Sequence, residues 1–223
     1  MTVPPRTDFT IPRHWIVVTV VLFVLTFALG FLVKLVPAIG VAQLPIDAAL
    51  NRANTPALDA ISTLLDKLDQ PPVVAVILVI VFAVMWFVKG WRTALGIVVV
   101  AGAGWVSCLV AKYAVHLPRP DLNDVPHQLL KDASTLSYPS GHVAFVAALG
   151  AALFMAVIRR GSRIVLVIVF GVIAIVVAMS RLYVGIHYLT DTVGGVLNGV
   201  AGALLFAGLW NVLVSRRLRR NRH

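Results

Sequence analysis

The sequence predicts an all-α, polytopic membrane protein: a bundle of six transmembrane helices with an interfacial amphipathic helix between the first two spans. Three observations lead to this fold class. Hydrophobic residues make up 60% of the 223 residues and charged residues only 13%, whereas soluble domains average about half apolar and about a quarter charged. The mean hydropathy is +0.94. The apolar residues are also gathered into six long runs, separated by segments of contrasting charge.

The six apolar runs are expected to form one domain, residues 1–223, because no linker-like or low-complexity stretch divides them. Each run is about long enough to cross a hydrocarbon core of ~30 Å at ~1.5 Å per residue. In lipid, backbone N–H and C=O groups must form hydrogen bonds with one another, so the runs are predicted to be helices. The first run is too long for the apolar region of a cleaved signal peptide. The runs are Trp15–Val36, Pro72–Val88, Thr93–His116, Gly141–Ile158, Ile164–Val184 and Thr190–Val214.

The segment between the first two runs, residues 37–71, carries a helical pattern of its own. Thr55-Pro56 is typical of an N-cap followed by proline at the first helical position. The apolar residues that follow recur at spacings of three and four, namely Leu58, Ile61, Leu65 and Leu68. This pattern predicts an amphipathic helix lying on the membrane surface, with a structural role favoured over that of a substrate gate.

Lys and Arg are distributed unevenly among the segments between the runs. If the N-terminus is cytoplasmic, the inside segments hold 12 of the 19 Lys and Arg residues, with Asp8 as their only acid. The positive-inside rule then assigns both termini to the cytoplasm. The charge lies beside apolar spans, so it is interpreted as an orientation signal touching anionic lipid, and no nucleic-acid partner is expected. The inside basic residues are five arginines in the tail and Arg6, Arg13, Lys89, Arg92, Arg159, Arg160 and Arg163.

Three clusters of polar residues lie at the predicted outer ends of the last four spans. The first is Lys112-x6-Arg119-Pro120, in which Lys112 is near the end of the third span. Pro118 and Pro120 prevent the helix from continuing. Arg119 is therefore expected in the loop just beyond, folded back toward Lys112. Taken alone, Lys112 is also typical of a lysine that extends along a span to reach the interface.

The second cluster, Pro139-Ser140-Gly141-His142, stands at the start of the fourth span. Ser140 is a residue type that caps helices, and Gly141 allows a ligand to approach the backbone closely. The unpaired N–H groups and the dipole of the first helical turn favour a phosphate. His142 is expected to face the same space, although a single histidine here is also typical of the membrane interface.

The third cluster is Ser180-Arg181-x5-His187-x3-Asp191. His187 and Asp191 are four residues apart and share a face if the stretch is helical. The carboxylate can then accept a hydrogen bond from one imidazole nitrogen and leave the other free to attack. Arg181 would fall on a different face of a continuous helix, and Gly185 offers a break that brings it closer. An arginine near the end of an apolar span indicates a partner or a function.

Together the clusters supply three cations, two histidines, one carboxylate and a helix N-terminus. Only one acid belongs to the set, so it does not indicate a metal site, and it suits a phosphoryl group attacked by an imidazole. The patterns KxxxxxxRP, PSGH and SRxxxxxHxxxD are the three signature motifs of the type 2 phosphatidic acid phosphatase superfamily. The sequence resembles this superfamily without a substitution in any motif, and its six-span layout is similar to that of the membrane lipid phosphatases within it.

The resemblance implies a role for each motif residue. His187 is the expected nucleophile that forms a phosphohistidine, and Asp191 orients it. His142 is expected to protonate the leaving group and then to activate the water that cleaves the intermediate. No metal ion and no cofactor is expected. The expected phosphate-binding residues are Lys112, Arg119, Ser140, Gly141 and Arg181.

The resemblance also implies a membrane lipid phosphate as substrate and the lipid bilayer of a plasma or inner membrane as surroundings. A site on the outer face favours undecaprenyl diphosphate. Phosphatidylglycerophosphate, phosphatidic acid or another polyprenyl phosphate are alternatives. A lipid phosphotransferase shares every motif, and a lipid-phosphate carrier would use the same cations but has no need of a His–Asp pair. The sequence leaves the oligomeric state open.

Overall fold

The computed structural model describes residues 9–129, 136–157 and 159–220. Within these ranges the secondary structure is helical and contains no strand, which confirms the predicted all-α class. Arg6, Asp8, Ile158 and Arg222, which belong to predicted spans or basic segments, lie outside the described residues. A short 3-10 helix covers Leu122–Asp124. The α-helices are α1 (Trp15–Leu35), α2 (Pro37–Val41), α3 (Leu44–Arg52), α4 (Pro56–Leu65), α5 (Pro71–Lys89), α6 (Trp91–Val106), α7 (Cys108–Val115), α8 (Gly141–Ala156), α9 (Arg160–Val184) and α10 (Leu189–Arg220).

Five helical segments in the described residues are long and apolar enough to cross a bilayer, so the chain is a multi-pass membrane protein. They are α1, α5, α6 with α7, α9, and the part of α10 up to Leu213. The fourth predicted span, Gly141–Ile158, forms α8, which has only 16 residues. Its rise is about 24 Å, less than the hydrocarbon thickness of ~30 Å.

The third predicted span, Thr93–His116, is interrupted at Ser107, between α6 and α7. The Ser107 hydroxyl donates to the carbonyl oxygen of Gly104 at 2.7 Å and accepts from the Asn198 amide at 3.0 Å. A serine hydroxyl that bonds back to the preceding turn competes with the helical ladder and bends the helix. Hydropathy does not record such a bond, which is why the sequence predicted one uninterrupted run.

Three helices occupy the segment between α1 and α5, where the sequence pattern predicted one. The predicted helix is α4, in which the Thr55 hydroxyl caps the backbone N–H of Leu58 at 3.2 Å. It ends at Leu65, so Leu68 lies beyond the helix and packs against the core instead. The unpredicted helices α2 and α3 each carry a proline in their first turn, at Pro37 and Pro45. That proline was the available signal for both.

Helix α8 is the most enclosed element, packed against α6, α9 and α10. Glycines in α10 allow the two backbones to meet. A methyl group on Gly195 would lie 2.7 Å from the carbonyl oxygen of Ser140, and one on Gly199 would lie 2.9 Å from the Cβ of Ala147. In lipid, where apolar side chains gain little from leaving their surroundings, such close approach is a main source of helix association.

Tyr138 anchors the loop that leads into α8. Its ring is completely buried, and its hydroxyl donates to the carbonyl oxygen of Thr26 in α1 at 2.5 Å. Gly30 of α1 and Gly194 of α10 make space for the ring, since a methyl group on either would lie 2.5 Å from it. The start of α8 is therefore held between α1 and α10.

We expect Gly199→Ala to lower the apparent Tm of the detergent-solubilised protein, because the added methyl meets backbone of α8. Overpacking of this kind costs about 1–3 kcal/mol. Gly171→Ala is the matched control, since no described atom lies within 4 Å of a methyl group on that residue of α9. Thermal unfolding followed by tryptophan fluorescence tests the pair. Equal Tm values for the two variants would contradict the assigned packing.

Candidate active site

The three polar clusters meet at one end of the bundle, where α7 and α9 end and α8 and α10 begin. All eight residues expected from the motifs lie at this end. Direct contacts join Arg119 to His187 and His187 to Asp191. Lys112 and Arg181 are close enough to act electrostatically on the same imidazole. The structure thus brings the predicted residues together.

The third motif places His187 on the turn between α9 and α10 and Asp191 in the first turn of α10. Helix α9 ends at Gly185, whose φ of +75° lies in the left-handed region that glycine adopts without strain. The Nδ1 of His187 lies 3.2 Å from Oδ2 of Asp191, and the same oxygen accepts from the backbone N–H of Tyr188 at 2.9 Å. The expected pair therefore exists. It forms across the N-terminus of α10, because His187 precedes that helix and Asp191 lies in its first turn.

Arg119 determines which imidazole nitrogen carries the proton. Its Nη1 lies 3.3 Å from Nε2 of His187 and also donates to the carbonyl oxygen of Ile186 at 2.9 Å. A guanidinium group has donors only, so Nε2 contributes its lone pair. The proton therefore resides on Nδ1, facing the carboxylate of Asp191. This hydrogen-bond network assigns His187 as a neutral imidazole with a lone pair directed at a cation.

The electrostatic surroundings favour the same state. Burial, reinforced by the positive charges of Arg119 and Lys112, holds the pKa of His187 well below its ordinary value of 6.5. A protonated imidazole here would lose its hydration beside other cations. His187 is consequently neutral at neutral pH, which is the form in which an imidazole attacks an electrophile.

Helix α8 begins directly beside this pair. The backbone N–H of Ser140 donates to the carbonyl oxygen of Asp191 at 3.0 Å and so joins the starts of α8 and α10. Ser140 occupies the N-cap position, but its hydroxyl makes no capping bond and is buried without a hydrogen-bond partner among the described residues. Gly141 and His142 follow in the first turn. The ring centroids of His142 and His187 are 6.5 Å apart and the rings are inclined at 75°, so the two imidazoles face the same end of the bundle.

Lys112 and Arg181 add two cations from the ends of α7 and α9. The Nζ of Lys112 donates to the carbonyl oxygen of Leu136 at 3.2 Å. Arg181 is completely buried, and its Nη2 donates to the carbonyl oxygen of Ser62 at 2.7 Å and to the hydroxyl of Ser180 at 2.9 Å. Burying a guanidinium costs free energy unless it is paired with a negative charge, so Arg181 requires a counter-ion.

Two aspartates that the motifs did not indicate supply negative charge to the site. Both come from the turn between α4 and α5. Asp66 Oδ1 lies 2.5 Å from Nη1 of Arg181, and Asp69 Oδ1 lies 3.0 Å from Nε2 of His142. The Nε2 of His142 also lies 3.1 Å from the carbonyl oxygen of Asp66. Both neighbours of this nitrogen are acceptors, so Nε2 of His142 carries a proton.

Burial shifts the pKa values of two acids at this end of the bundle. It raises the pKa of Asp69, although the charges of Lys112 and Arg119 oppose the shift. In α3, burial raises the pKa of Asp47 to about 8, with a further contribution from the charge of Asp191. Asp47 is therefore mostly neutral at pH 7. It adds little negative charge beside the His187 pair.

The donor set of the site suits an anion, since it consists of cations, N–H groups and two imidazoles. In the part of the chain that the structure describes, no three His, Cys, Asp or Glu side chains are grouped as metal ligands would be. A family model of the PAP2 superfamily matches residues 91–214, more than half of the chain. The chain belongs to the PAP2 superfamily. This confirms the resemblance carried by the three motifs, all of which lie inside the matched range.

Relatives within the PAP2 superfamily support the same assignment. Phosphatidylglycerophosphatase B of Bacillus subtilis (strain 168) is 27% identical over 171 residues, 73% of this chain and 82% of the relative. YbjG of Escherichia coli (strain K12), provisionally named an undecaprenyl-diphosphatase, is 34% identical over 97 residues, 43% of this chain and 46% of the relative. The crystal structure of a transmembrane PAP2-type phosphatidylglycerolphosphate phosphatase from Bacillus subtilis has a TM-score of 0.70 at 27% identity, covering 86% of this chain and 94% of that one. The chain is a PAP2-type membrane lipid phosphatase, of a class that works without a metal ion.

The assigned state of His187 predicts its titration. Because burial and the neighbouring cations lower its pKa, we expect its imidazole to stay neutral down to a pH below 6.5, with the proton on Nδ1. Nitrogen-15 NMR of histidine-labelled protein measures both the midpoint and the tautomer. The signal lost in His187→Gln identifies the residue. A midpoint at or above 6.5, or a proton on Nε2 of the neutral ring, would contradict the assignment.

Proposed function

We propose that this PAP2 phosphatase hydrolyses undecaprenyl diphosphate at the outer face of the membrane, through a phosphohistidine formed on His187. The observation that carries the proposal is the state of this imidazole. Its Nδ1 faces the carboxylate of Asp191 at 3.2 Å, and its Nε2 directs a lone pair toward Arg119 at 3.3 Å. A nucleophile held by a carboxylate and aimed at a cation is prepared for an anionic electrophile.

In the first step, Nε2 of His187 attacks the terminal phosphorus. A nitrogen–phosphorus bond forms and the bond from phosphorus to the bridging oxygen breaks. His142, doubly protonated as the imidazolium for this step, donates its Nε2 proton to the departing oxygen and becomes neutral, so that the lipid leaves as its monophosphate. The positive charge that develops on the phosphorylated ring is stabilised by Asp191, which accepts from Nδ1.

In the second step, water attacks the phosphorus of the phosphohistidine. His142 is now a neutral imidazole, and its Nε2 takes a proton from the water. The nitrogen–phosphorus bond breaks, inorganic phosphate leaves, and both histidines return to their starting states. Proton transfer is thus balanced over the cycle without a metal ion.

The phosphoryl oxygens need positive partners throughout. Lys112, Arg119 and Arg181 are proposed to neutralise them, with the hydroxyl of Ser140 and the backbone N–H of Gly141 as further donors. Arg119 already donates to the attacking nitrogen, so a bound oxygen would take over that donor as attack begins. The buried Ser140 hydroxyl, which has no hydrogen-bond partner among the described residues, gains one from the substrate.

The outward orientation is proposed from charge. The α5–α6 turn and the start of α9 lie at the bundle end opposite to the site, and they carry Lys89, Arg92, Arg159, Arg160 and Arg163. The positive-inside rule places that end, with both termini, in the cytoplasm. The site then faces outward in the plasma or inner membrane.

The choice among lipids rests on orientation and on the relatives. A carrier diphosphate released on the outer face favours undecaprenyl diphosphate, and the likeness to YbjG supports it. Phosphatidylglycerophosphate is the second candidate, because the longer match is to a Bacillus subtilis phosphatidylglycerophosphatase.

We expect His187→Ala to lower the rate of phosphate release by at least about a thousandfold, because it removes the attacking nitrogen. Asp191→Asn should lower it by about the same order, since the amide cannot hold the Nδ1–H tautomer. His116→Asn is the control, as this histidine belongs to none of the three motifs and its backbone is left-handed, a conformation that asparagine tolerates. Near-normal activity of a folded His187→Ala protein would reject it as nucleophile.

We expect purified protein in detergent with EDTA to release phosphate from undecaprenyl diphosphate faster than from phosphatidylglycerophosphate or phosphatidic acid. The three lipids are offered in parallel, with His187→Ala as the blank. A faster rate with either glycerolipid would reject the polyprenyl substrate. Transfer of phosphate to an acceptor other than water would indicate a phosphotransferase, and no release at all would indicate a lipid-phosphate carrier.

A further inference from the structure

Asp66 and Asp69 bind two of the groups that the proposed function assigns to the substrate, the Arg181 guanidinium and the His142 imidazole. Asp66 takes the guanidinium of Arg181 at 2.5 Å, and Asp69 takes the imidazole of His142 at 3.0 Å. A methyl group on Gly141 would lie 2.7 Å from Oδ2 of Asp69, so this carboxylate rests against the first turn of α8. The cation and the imidazole are both engaged by carboxylate oxygens, and Asp69 also packs against the first turn of α8.

The two acids also stand between these partners and the solvent. Their side chains are 28% and 31% exposed, whereas those of Arg181 and His142 behind them are 0% and 5% exposed. A phosphoryl group that approaches from solvent therefore meets the carboxylates first. The paired atoms of Arg181 and His142 become available to it only when the carboxylates leave.

The backbone need not move for the carboxylates to leave. Residues 66–70 form a turn held by short-range bonds, including Lys67 N–H to the Leu64 carbonyl at 3.2 Å and Gln70 N–H to the Lys67 carbonyl at 3.1 Å. Rotation about the side-chain bonds is enough to swing each carboxylate outward. The ring of His142 keeps a second acceptor, the carbonyl oxygen of Asp66 at 3.1 Å, and so holds its orientation meanwhile.

Displacement imposes a charge requirement on the ligand. A buried guanidinium left without a counter-ion is strongly destabilising, so the ligand must replace what the two carboxylates supplied. A terminal phosphate carries a charge of about −1.5 to −2 at pH 7 and three free oxygens. A phosphodiester carries one negative charge and two free oxygens, and it falls short on both counts.

We propose that Asp66 and Asp69 act as an internal anion that occupies the phosphate-binding groups of the free enzyme and that an anionic ligand must displace. The inference rests on the proposed function of these groups and adds an autoinhibitory contact to it.

The test compares two probes, inorganic phosphate and dimethyl phosphate, on the full-length protein in detergent. Ligand binding raises Tm in proportion to its affinity, so Tm measured against probe concentration at constant ionic strength gives each Kd. The wild type, Asp69→Asn and Asp66→Asn are compared. Asp121→Asn is the control, because it removes the same charge from an exposed loop residue at the same end of the bundle.

We expect the wild type to bind phosphate and to bind dimethyl phosphate much more weakly. In Asp69→Asn and Asp66→Asn, the Kd values for both probes should fall about tenfold and by the same factor, because the competing closed state is depopulated for either ligand alike. Asp121→Asn should keep the wild-type Kd values.

Asp69→Asn is the decisive variant, since it leaves the ion pair between Asp66 and Arg181 in place. A folded Asp69→Asn protein with the wild-type Kd for phosphate would overturn the competition while leaving the pocket intact. A wild-type protein that binds neither probe would instead overturn the proposed phosphate pocket, and the competition with it.

Discussion

The site depends on the close approach of α8 to α10. Within a bilayer, apolar side chains gain little by meeting each other, so helices associate where small residues let their backbones touch. Gly195 and Gly199 provide that contact, and the hydrogen bond from Ser140 N–H to the Asp191 carbonyl ties the two helix starts together at 3.0 Å. The spacing of the two catalytic-motif imidazoles, His142 and His187, is a direct result of this packing.

Cations gathered at one end of a membrane bundle must be paired with hydrogen-bond acceptors or negative charges. Arg181 has no exposed surface, and a guanidinium in that position is stable only with acceptors around it. The protein supplies them from the α4 end and the turn after it, through Ser62 and Asp66. Helix α4 and the turn after it are thus part of the electrostatic environment of the site. Their sequence is constrained by the need to pair with Arg181 as much as by contact with lipid.

The sequence was sufficient to predict five of the six apolar spans, the capped helix after Thr55 and the residues that converge at the site, because each leaves a local pattern. It was not sufficient for features that depend on distant partners. The Ser107 hydroxyl, which bonds back to Gly104 at the interruption, also accepts from Asn198, more than 90 residues later. Asp66 and Asp69 become part of the site only when α4 packs beside α9 and the turn after α4 meets the start of α8, and no spacing along the chain records that contact.

Helix α9 connects the lipid-facing surface of the bundle to the candidate active site. Only 6% of its span is buried, so most of the helix faces lipid. Its C-terminal end is bound to α3, α4 and the turn after α4. Asn51 binds the carbonyl oxygen of Tyr183 at 2.8 Å, the hydroxyl of Tyr183 donates to Asp59, and Arg181 pairs with Asp66. Bilayer thickness sets the tilt of lipid-exposed helices. A change in the tilt of α9 would therefore act on the end that holds Arg181, where the helix is tied to α3, α4 and the turn after α4.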